Sequence, residues 1–123
     1  MGRERQALGA RGEDLAVAEL RRQGLEVVGR NWRCRLGEID VIATETVAGR
    51  TTVVFCEVKC RSGLGFGDPL EAITWAKLRR LRSLAAEWLR VHDVGRVAVR
   101  LDAVGVLLAR GQPPKVTHVR GVG

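Results

Sequence analysis

The chain has 123 residues, which is enough for one domain with a buried apolar core and leaves no room for a second. Lysine and arginine number 21 against 14 aspartates and glutamates, so the formal charge is +7 and the surface should attract polyanions such as nucleic acid. The three cysteines form no C-x-x-C pair. Neither a disulfide framework nor a zinc knuckle is predicted, and reduced thiols in a cytoplasmic protein are expected.

The first predicted element is a helix over residues 3–23, which are rich in Ala, Leu, Arg and Glu and contain no proline. Gly24 offers the C-terminal stop. Glu13 lies on a helical stripe whose other members are small or apolar, namely Gly9, Ala16 and Leu20. Its carboxylate is therefore expected to point toward the body of the protein.

Three strands are predicted next, at residues 25–29, 38–44 and 51–59. The first is a short apolar run suited to a sheet edge, followed by a basic segment over residues 30–35 and a turn at residues 36–37. The other two are joined by a turn over residues 47–50, so they should form an antiparallel hairpin.

A glycine-rich loop over residues 61–69 leads into a second predicted helix, residues 70–91, with Asp68 as a candidate cap. Lys77 is the single cation on the apolar stripe of this helix, so it should be partly buried or point into a cleft. Two further strands are expected at residues 97–106 and 115–119.

This order of elements predicts a fold of the α/β or α+β class around one mixed sheet. One domain is expected over residues 1–123, with only the last few residues loose. Neither an export signal nor a membrane span is predicted, because the best apolar stretch, residues 97–109, is interrupted by Arg100 and Asp102.

Charged side chains are predicted to gather at the ends of the hairpin strands. Because side chains alternate along a strand, Glu38 and Asp40 should share one face, opposite Ile39 and Val41. The sequence therefore predicts two carboxylates on one surface, about 7 Å apart.

The following strand is apolar on both faces until Glu57 and Lys59, which share a face. Carboxylates buried at Asp40, Glu57 and an inward Glu13 would repel one another unless a cation neutralised them. A hard divalent metal with oxygen ligands does this directly. Lys59 could orient or deprotonate a water, or stabilise negative charge in a transition state, as phosphodiester hydrolysis requires.

Each of these features also has an ordinary structural interpretation. Glu57 and Lys59 can form an ion pair at a strand end, and the two acids of the preceding strand can be surface groups beside a turn. Glu13 can be a solvated helix carboxylate, and the stem of Lys77 can cover apolar surface. The combination, in this order, is more specific than its parts.

That combination, a helix acid followed by Asp40, Glu57-x-Lys59 and a helical lysine, resembles the PD-(D/E)xK nuclease superfamily. More closely, the chain resembles the YraN family (UPF0102). This resemblance is carried by residues 12–16 (Gly-Glu-Asp-Leu-Ala), residues 31–40 (Asn-Trp-Arg-Cys-Arg-Leu-Gly-Glu-Ile-Asp) and residues 55–61 (Phe-Cys-Glu-Val-Lys-Cys-Arg), together with Phe66-Gly67 and residues 72–81.

The YraN family is similar to archaeal Holliday-junction resolvases, which implies a restriction-endonuclease-like core with a mixed β-sheet flanked by helices. The resemblance implies a Mg²⁺ or Mn²⁺ site on Asp40 and Glu57, with Glu13 in support, and an ability to form homodimers. It implies water activation or charge stabilisation by Lys59 and an assisting role for Lys77. Glu38 has no assigned role. The implied activity is that of an endonuclease on DNA, including branched or structured DNA.

Several cations flank the acidic centre. Arg33, Arg35 and Arg61 are candidates to hold phosphates, and Trp32 could stack on a base or instead anchor the edge of the core. No base-reading motif is present, so structure-specific or non-specific binding is expected. Two alternatives stay open: a nucleic-acid-binding protein of this fold without useful cleavage, and a structural protein whose acids form surface ion pairs.

Overall fold

The computed structural model describes residues 2–63 and 67–123, with side chains from residue 7 onward. Residues 64–66 of the glycine-rich loop, including Phe66, lie outside this description. The elements, in chain order, are α1 (Gly2–Arg22), β1 (Glu26–Cys34), β2 (Gly37–Val47), β3 (Arg50–Arg61), a 3₁₀ helix (Pro69–Ala72), α2 (Trp75–Val91), β4 (Ala98–Leu107) and β5 (Lys115–Val119).

The five strands form one mixed sheet in the order β1-β2-β3-β4-β5. Neighbouring strands are antiparallel except for β3 and β4, which are parallel. A parallel pair needs a long crossover, and here the 3₁₀ helix and α2 supply it. The structure confirms the predicted fold class, a mixed sheet flanked by helices.

The core has two layers, one on each face of the sheet. On one face α1 packs on the central strands, with Ala16, Val17 and Leu20 against Val54, Cys56, Val104 and Val106. On the other face α2 packs through Leu81, Leu84 and Trp88 against Ile42, Val53 and Phe55. The central strand β3 is therefore buried on both faces, as its apolar sequence predicted.

Two element boundaries differ from the predicted ones by five residues, more than any other boundary does. Strand β1 continues through the basic segment to Cys34, because this segment pairs with β2 and Cys34 lies opposite Gly37. Helix α2 begins at Trp75, with Thr74 as its cap, while Asp68 caps the separate 3₁₀ helix by accepting from the Leu70 N–H at 2.9 Å.

The 3₁₀ helix is held in position by close packing on β4. A Cβ atom at Gly105 would lie 2.9 Å from Leu70 Cγ, so the absence of a side chain at Gly105 lets this segment rest on the strand. This tertiary contact, which has no signature in the local sequence, separates residues 69–72 from α2.

A buried ionic network joins β4, β5 and the C-terminal residues. Asp102 is fully buried and accepts hydrogen bonds from Arg100 Nε at 2.8 Å, His118 Nε2 at 2.7 Å and the Gly121 N–H at 3.1 Å. Arg100 Nη1 also donates to Glu45 Oε1 at 2.9 Å. The last residues, expected to be loose, are thus hydrogen-bonded to the sheet.

In the portion of the chain with described coordinates, no helix is long and apolar enough to cross a membrane.

We expect Asp102→Ala to lower the free energy of unfolding by about 3–5 kcal/mol, because it leaves Arg100 and His118 without their buried acceptor. Urea denaturation measures this loss. Glu87→Ala is the control, since Glu87 pairs with the exposed Arg90 on the surface of α2 and its loss should leave stability nearly unchanged. If the two substitutions lower the free energy of unfolding equally, the buried network stabilises the fold no more than a surface ion pair does.

Candidate metal centre

The backbone ladder between β2 and β3 stops before the strands end. Pairing runs from Val47 opposite Arg50 to Val41 opposite Cys56, and no later pair follows in the described strands. Past this point the Asp40 side chain takes the place of a backbone acceptor, since its Oδ2 accepts from the Val58 N–H at 2.8 Å. We call this point, where Val41 and Cys56 form the last pair, the strand fork.

The expected alternation of β2 breaks at Asp40. Ile39 and Val41 were predicted to share a face, but Ile39 packs in the layer under α2 and Val41 in the layer under α1. The irregularity coincides with Asn31 on β1, which adopts a left-handed conformation (φ 52°) between the pairs Arg30–Val41 and Trp32–Ile39. Asp40 lies between these two residues, at the point where the alternation breaks.

Three carboxylates meet beside the fork. Glu13, Glu38 and Asp40 each present an oxygen within 4.8 Å of the others; we call these three residues the acidic cluster. Glu13 lies on α1. This helix can approach β3 closely because Gly12 has no side chain: a Cβ atom there would lie 2.8 Å from Cys60 Cβ. The structure therefore brings together the predicted Glu13 and Asp40 and gives Glu38, which had no assigned role, a place beside them.

On the α2 face, Glu57 completes the acidic side of the fork. Glu38, Asp40 and Glu57 line a cavity of about 230 Å³ together with Lys59, Lys77 and Arg80. Lys77 is half-buried, as its position on the apolar stripe predicted, and its Nζ donates to the Ala72 carbonyl at 3.1 Å. Glu57 lines this cavity. It is not one of the three residues of the acidic cluster, whose carboxylate oxygens lie within 4.8 Å of one another.

Asp40 and Glu57 are harder to ionise than free carboxyl groups. Burial and the neighbouring Glu57 raise the pKa of Asp40 to about 7, although the Val58 N–H opposes this. Burial also raises the pKa of Glu57, against the opposing effect of Lys59, Lys77 and Arg80. Ionising the acids in this setting costs free energy, which an added cation would recover.

The lysines at the site also influence each other. Burial, together with the nearby Lys59 ammonium, lowers the pKa of Lys77, while Glu57 raises it. Lys59 and Lys77 therefore lie close enough to repel, on the α2 side of the acids.

A second, larger cavity of about 750 Å³ opens on the α1 side of the fork. It is lined by Glu13 of α1 and by Lys59, Cys60 and Arg61 at the end of β3. Lys59 lines both cavities, whereas Glu13 lines the α1-side cavity and Glu38, Asp40 and Glu57 line the α2-side cavity. Arg61 Nε is buried and has no hydrogen-bond partner among the described residues.

The other residues predicted to contact nucleic acid differ in their surroundings. Arg33 Nε donates to Glu38 Oε2 at 2.6 Å, while Arg35 is exposed. Trp32 is half-buried, packs against the layer under α2 and meets the His92 ring edge-on at 6.2 Å. The most exposed tryptophan is Trp75, at 78%, which the sequence pattern did not single out because it placed this residue inside a helix.

The model of the family described as "Uncharacterised protein family UPF0102" matches residues 12–106. The chain belongs to the UPF0102 family. It is 55% identical to a UPF0102 protein of Mycobacterium ulcerans over 119 residues, which cover 97% of this chain and 96% of the relative. It is 50% identical to a UPF0102 protein of Mycolicibacterium smegmatis, over 97% of this chain and 94% of the relative. It is 51% identical to one of Beutenbergia cavernae, over 98% of this chain and 99% of the relative. The resemblance to UPF0102 read from the sequence motifs is therefore confirmed.

The acidic cluster of this UPF0102 protein fits a hard divalent cation. An ion bound at about 2.0–2.6 Å from carboxylate oxygens holds those oxygens at most about 4–5 Å apart, and the oxygens of the acidic cluster lie within 4.8 Å of one another. The donor set is all oxygen, which suits Mg²⁺ or Mn²⁺. Glu13, Glu38 and Asp40 would hold the ion, with Glu57 within the neighbouring cavity.

The raised pKa of Asp40 predicts how the stability of the UPF0102 protein varies with pH in EDTA. Unfolded Asp40 ionises near its ordinary 3.8, whereas the folded carboxyl keeps its proton until about pH 7. The favourable contribution of Asp40 is therefore complete below about pH 4 and lost as pH rises through 7, at a cost of at most about 4 kcal/mol.

Urea denaturation of wild type and Asp40→Asn from acidic to neutral pH isolates this contribution. The substituted amide keeps an acceptor for the Val58 N–H but does not titrate, so the variant should gain stability relative to wild type as pH rises. A constant difference between the two proteins across this range would contradict the prediction.

Proposed function

We propose that this UPF0102 protein is a metal-dependent endonuclease that hydrolyses phosphodiester bonds in DNA. One observation carries the proposal: the strand fork gathers the acidic cluster, Glu57 and two lysines at a point open to cavities on both faces of the sheet. The resemblance of the same residues to the PD-(D/E)xK pattern supports it. Branched or structured DNA is the preferred substrate class by that resemblance.

The acids would provide the metal ligands of the reaction. Asp40 lies at the centre, with Glu13 reaching it from α1 and Glu57 facing the α2-side cavity. A bound Mg²⁺ or Mn²⁺ ion supplies Lewis-acid stabilisation of the phosphate charge. Binding is also favoured because the ion would stabilise the ionised Asp40 carboxylate, whose pKa is raised by burial and by the neighbouring Glu57.

The lysines would act on the phosphate and the attacking water. Lys59 lines both cavities, so its ammonium can donate to a phosphate oxygen or orient a water from either side. Lys77, anchored on the Ala72 carbonyl, adds positive charge across the α2-side cavity. Fixed donors of this kind stabilise the negative charge that grows as the phosphodiester bond breaks.

We expect cleavage of labelled branched, single-stranded or duplex DNA only when Mg²⁺ or Mn²⁺ is present. Asp40→Asn, Glu57→Gln and Lys59→Ala should each lower the cleavage rate by about 100-fold or more, because each removes a group that acts on the reacting phosphate. Gel assays of product formation measure this.

Asp14→Asn is the matched control, since Asp14 is an exposed acid next to Glu13 and pairs with Arg30 at 2.8 Å; its rate should stay near that of wild type. If all of these proteins bind DNA and none yields a metal-dependent product, the chain is a nucleic-acid-binding protein of this fold instead.

The proposed nucleic-acid contacts are made by cations around the fork that have no ion-pair partner among the described residues. Arg61 offers a buried guanidinium nitrogen without a partner among the described residues, beside the larger cavity. Arg35 is exposed, whereas Arg33 is engaged with Glu38. Trp75 offers an exposed ring at the start of α2, so base stacking is better assigned to it than to Trp32.

Arg61→Ala should weaken DNA binding in EDTA and lower the slope of log affinity against log salt by about one, because one phosphate contact is lost. Fluorescence anisotropy of labelled DNA over a NaCl series measures both quantities. Arg90→Ala is the control, since Arg90 is paired with Glu87 on the surface of α2. If log affinity falls with log salt at the same slope in both variants, Arg61 does not contact the DNA.

A further inference from the structure

Asn31 stands out because its backbone is left-handed within a strand. It has φ of 52° in the middle of β1, where an extended conformation is the rule, and the other non-glycine residue in the described chain with positive φ is Ala48 in the β2–β3 turn. Such conformations persist where the surroundings hold them in place, and they concentrate at functional sites. The turn accounts for Ala48; no turn accounts for Asn31.

The side chain of Asn31 bridges two acids of the acidic cluster. Its Nδ2 donates to Glu13 Oε2 at 3.1 Å and to Glu38 Oε1 at 2.9 Å. An amide nitrogen has two hydrogens, so these contacts use its full donor capacity. One neutral side chain on β1 thus links a carboxylate of α1 to a carboxylate of β2.

Two arginines of the same strand contact the remaining oxygens of these acids. Arg30 Nη2 lies 3.7 Å from Glu13 Oε1, and Arg33 Nε lies 2.6 Å from Glu38 Oε2. Each glutamate is therefore held at both oxygens by β1. A carboxylate oxygen that accepts one hydrogen bond keeps a second lone pair, so the arrangement fixes the acids without using up their capacity to bind a cation.

We propose that Asn31 is a positioning residue that orients Glu13 and Glu38 toward Asp40 for divalent-cation binding; the inference rests on the cation site of the proposed function. A neutral amide suits this place because it directs the carboxylates without adding to the positive charge of Arg30 and Arg33 beside them. The left-handed backbone is what carries the amide to both acids at once.

The test is Mn²⁺ binding by isothermal titration calorimetry to wild type, Asn31→Gly and Ala48→Gly. Asn31→Gly keeps the left-handed backbone and removes the amide, and should weaken Mn²⁺ affinity by about 10- to 100-fold, the usual effect of losing a group that orients metal ligands. Ala48→Gly is the matched control, because it makes the same backbone change in the distant turn and should bind Mn²⁺ like wild type.

Two further measurements separate positioning from a structural role. Melting temperatures in EDTA should be similar for the three proteins, since glycine tolerates positive φ. In a Glu13→Gln background, Asn31→Gly should cost less Mn²⁺ affinity than in wild type, because part of its effect acts through Glu13.

Wild-type-like Mn²⁺ affinity in Asn31→Gly would overturn the role of Asn31 while leaving the proposed function intact. Absence of Mn²⁺ binding to wild type would overturn the proposed function, and the role of Asn31 with it.

Discussion

The hydrogen bond from the Val58 N–H to Asp40 is the contact around which the site is arranged. It ends the β2–β3 ladder at the strand fork and satisfies a backbone donor that the separating strands would otherwise leave unpaired. A carboxylate that replaces a backbone acceptor is held in place by the sheet itself. Because the backbone pairing stops there, Asp40 can line the α2-side cavity beside Glu38 and Glu57.

The same fork makes the site depend on both core layers. Glu13 reaches Asp40 because α1 lies directly on β3 at Gly12, while Lys77 reaches the other side because α2 packs through Leu81 and Leu84. Neither helix carries the site alone. The packing of apolar residues along α1 and α2 thus determines where the charged groups meet.

Much of this arrangement could be predicted from sequence, and the exceptions were long-range. Helical periodicity placed Glu13 and Lys77 inward, because a stripe of apolar residues is a local pattern. Strand alternation failed around Asp40, where the irregularity coincides with the left-handed Asn31 on the neighbouring strand. The 3₁₀ helix likewise owes its place to Gly105 on a distant strand. Local patterns place side chains on faces of helices and strands, whereas these contacts require knowing which elements are neighbours.

The two aspartates of the sheet show that partners, more than burial, decide what an acid does. Burial alone would raise the pKa of Asp102, but hydrogen bonds from His118 and Arg100 outweigh this effect and lower the pKa to about 2. Asp40 is less buried but has no such cationic partner, so burial, together with the neighbouring Glu57, raises its pKa to about 7. Asp102 has its counter-charges built into the fold, so it stabilises the native state. Asp40 lines a cavity and has no ion-pair partner among the described residues, which is the condition for binding a cation from outside.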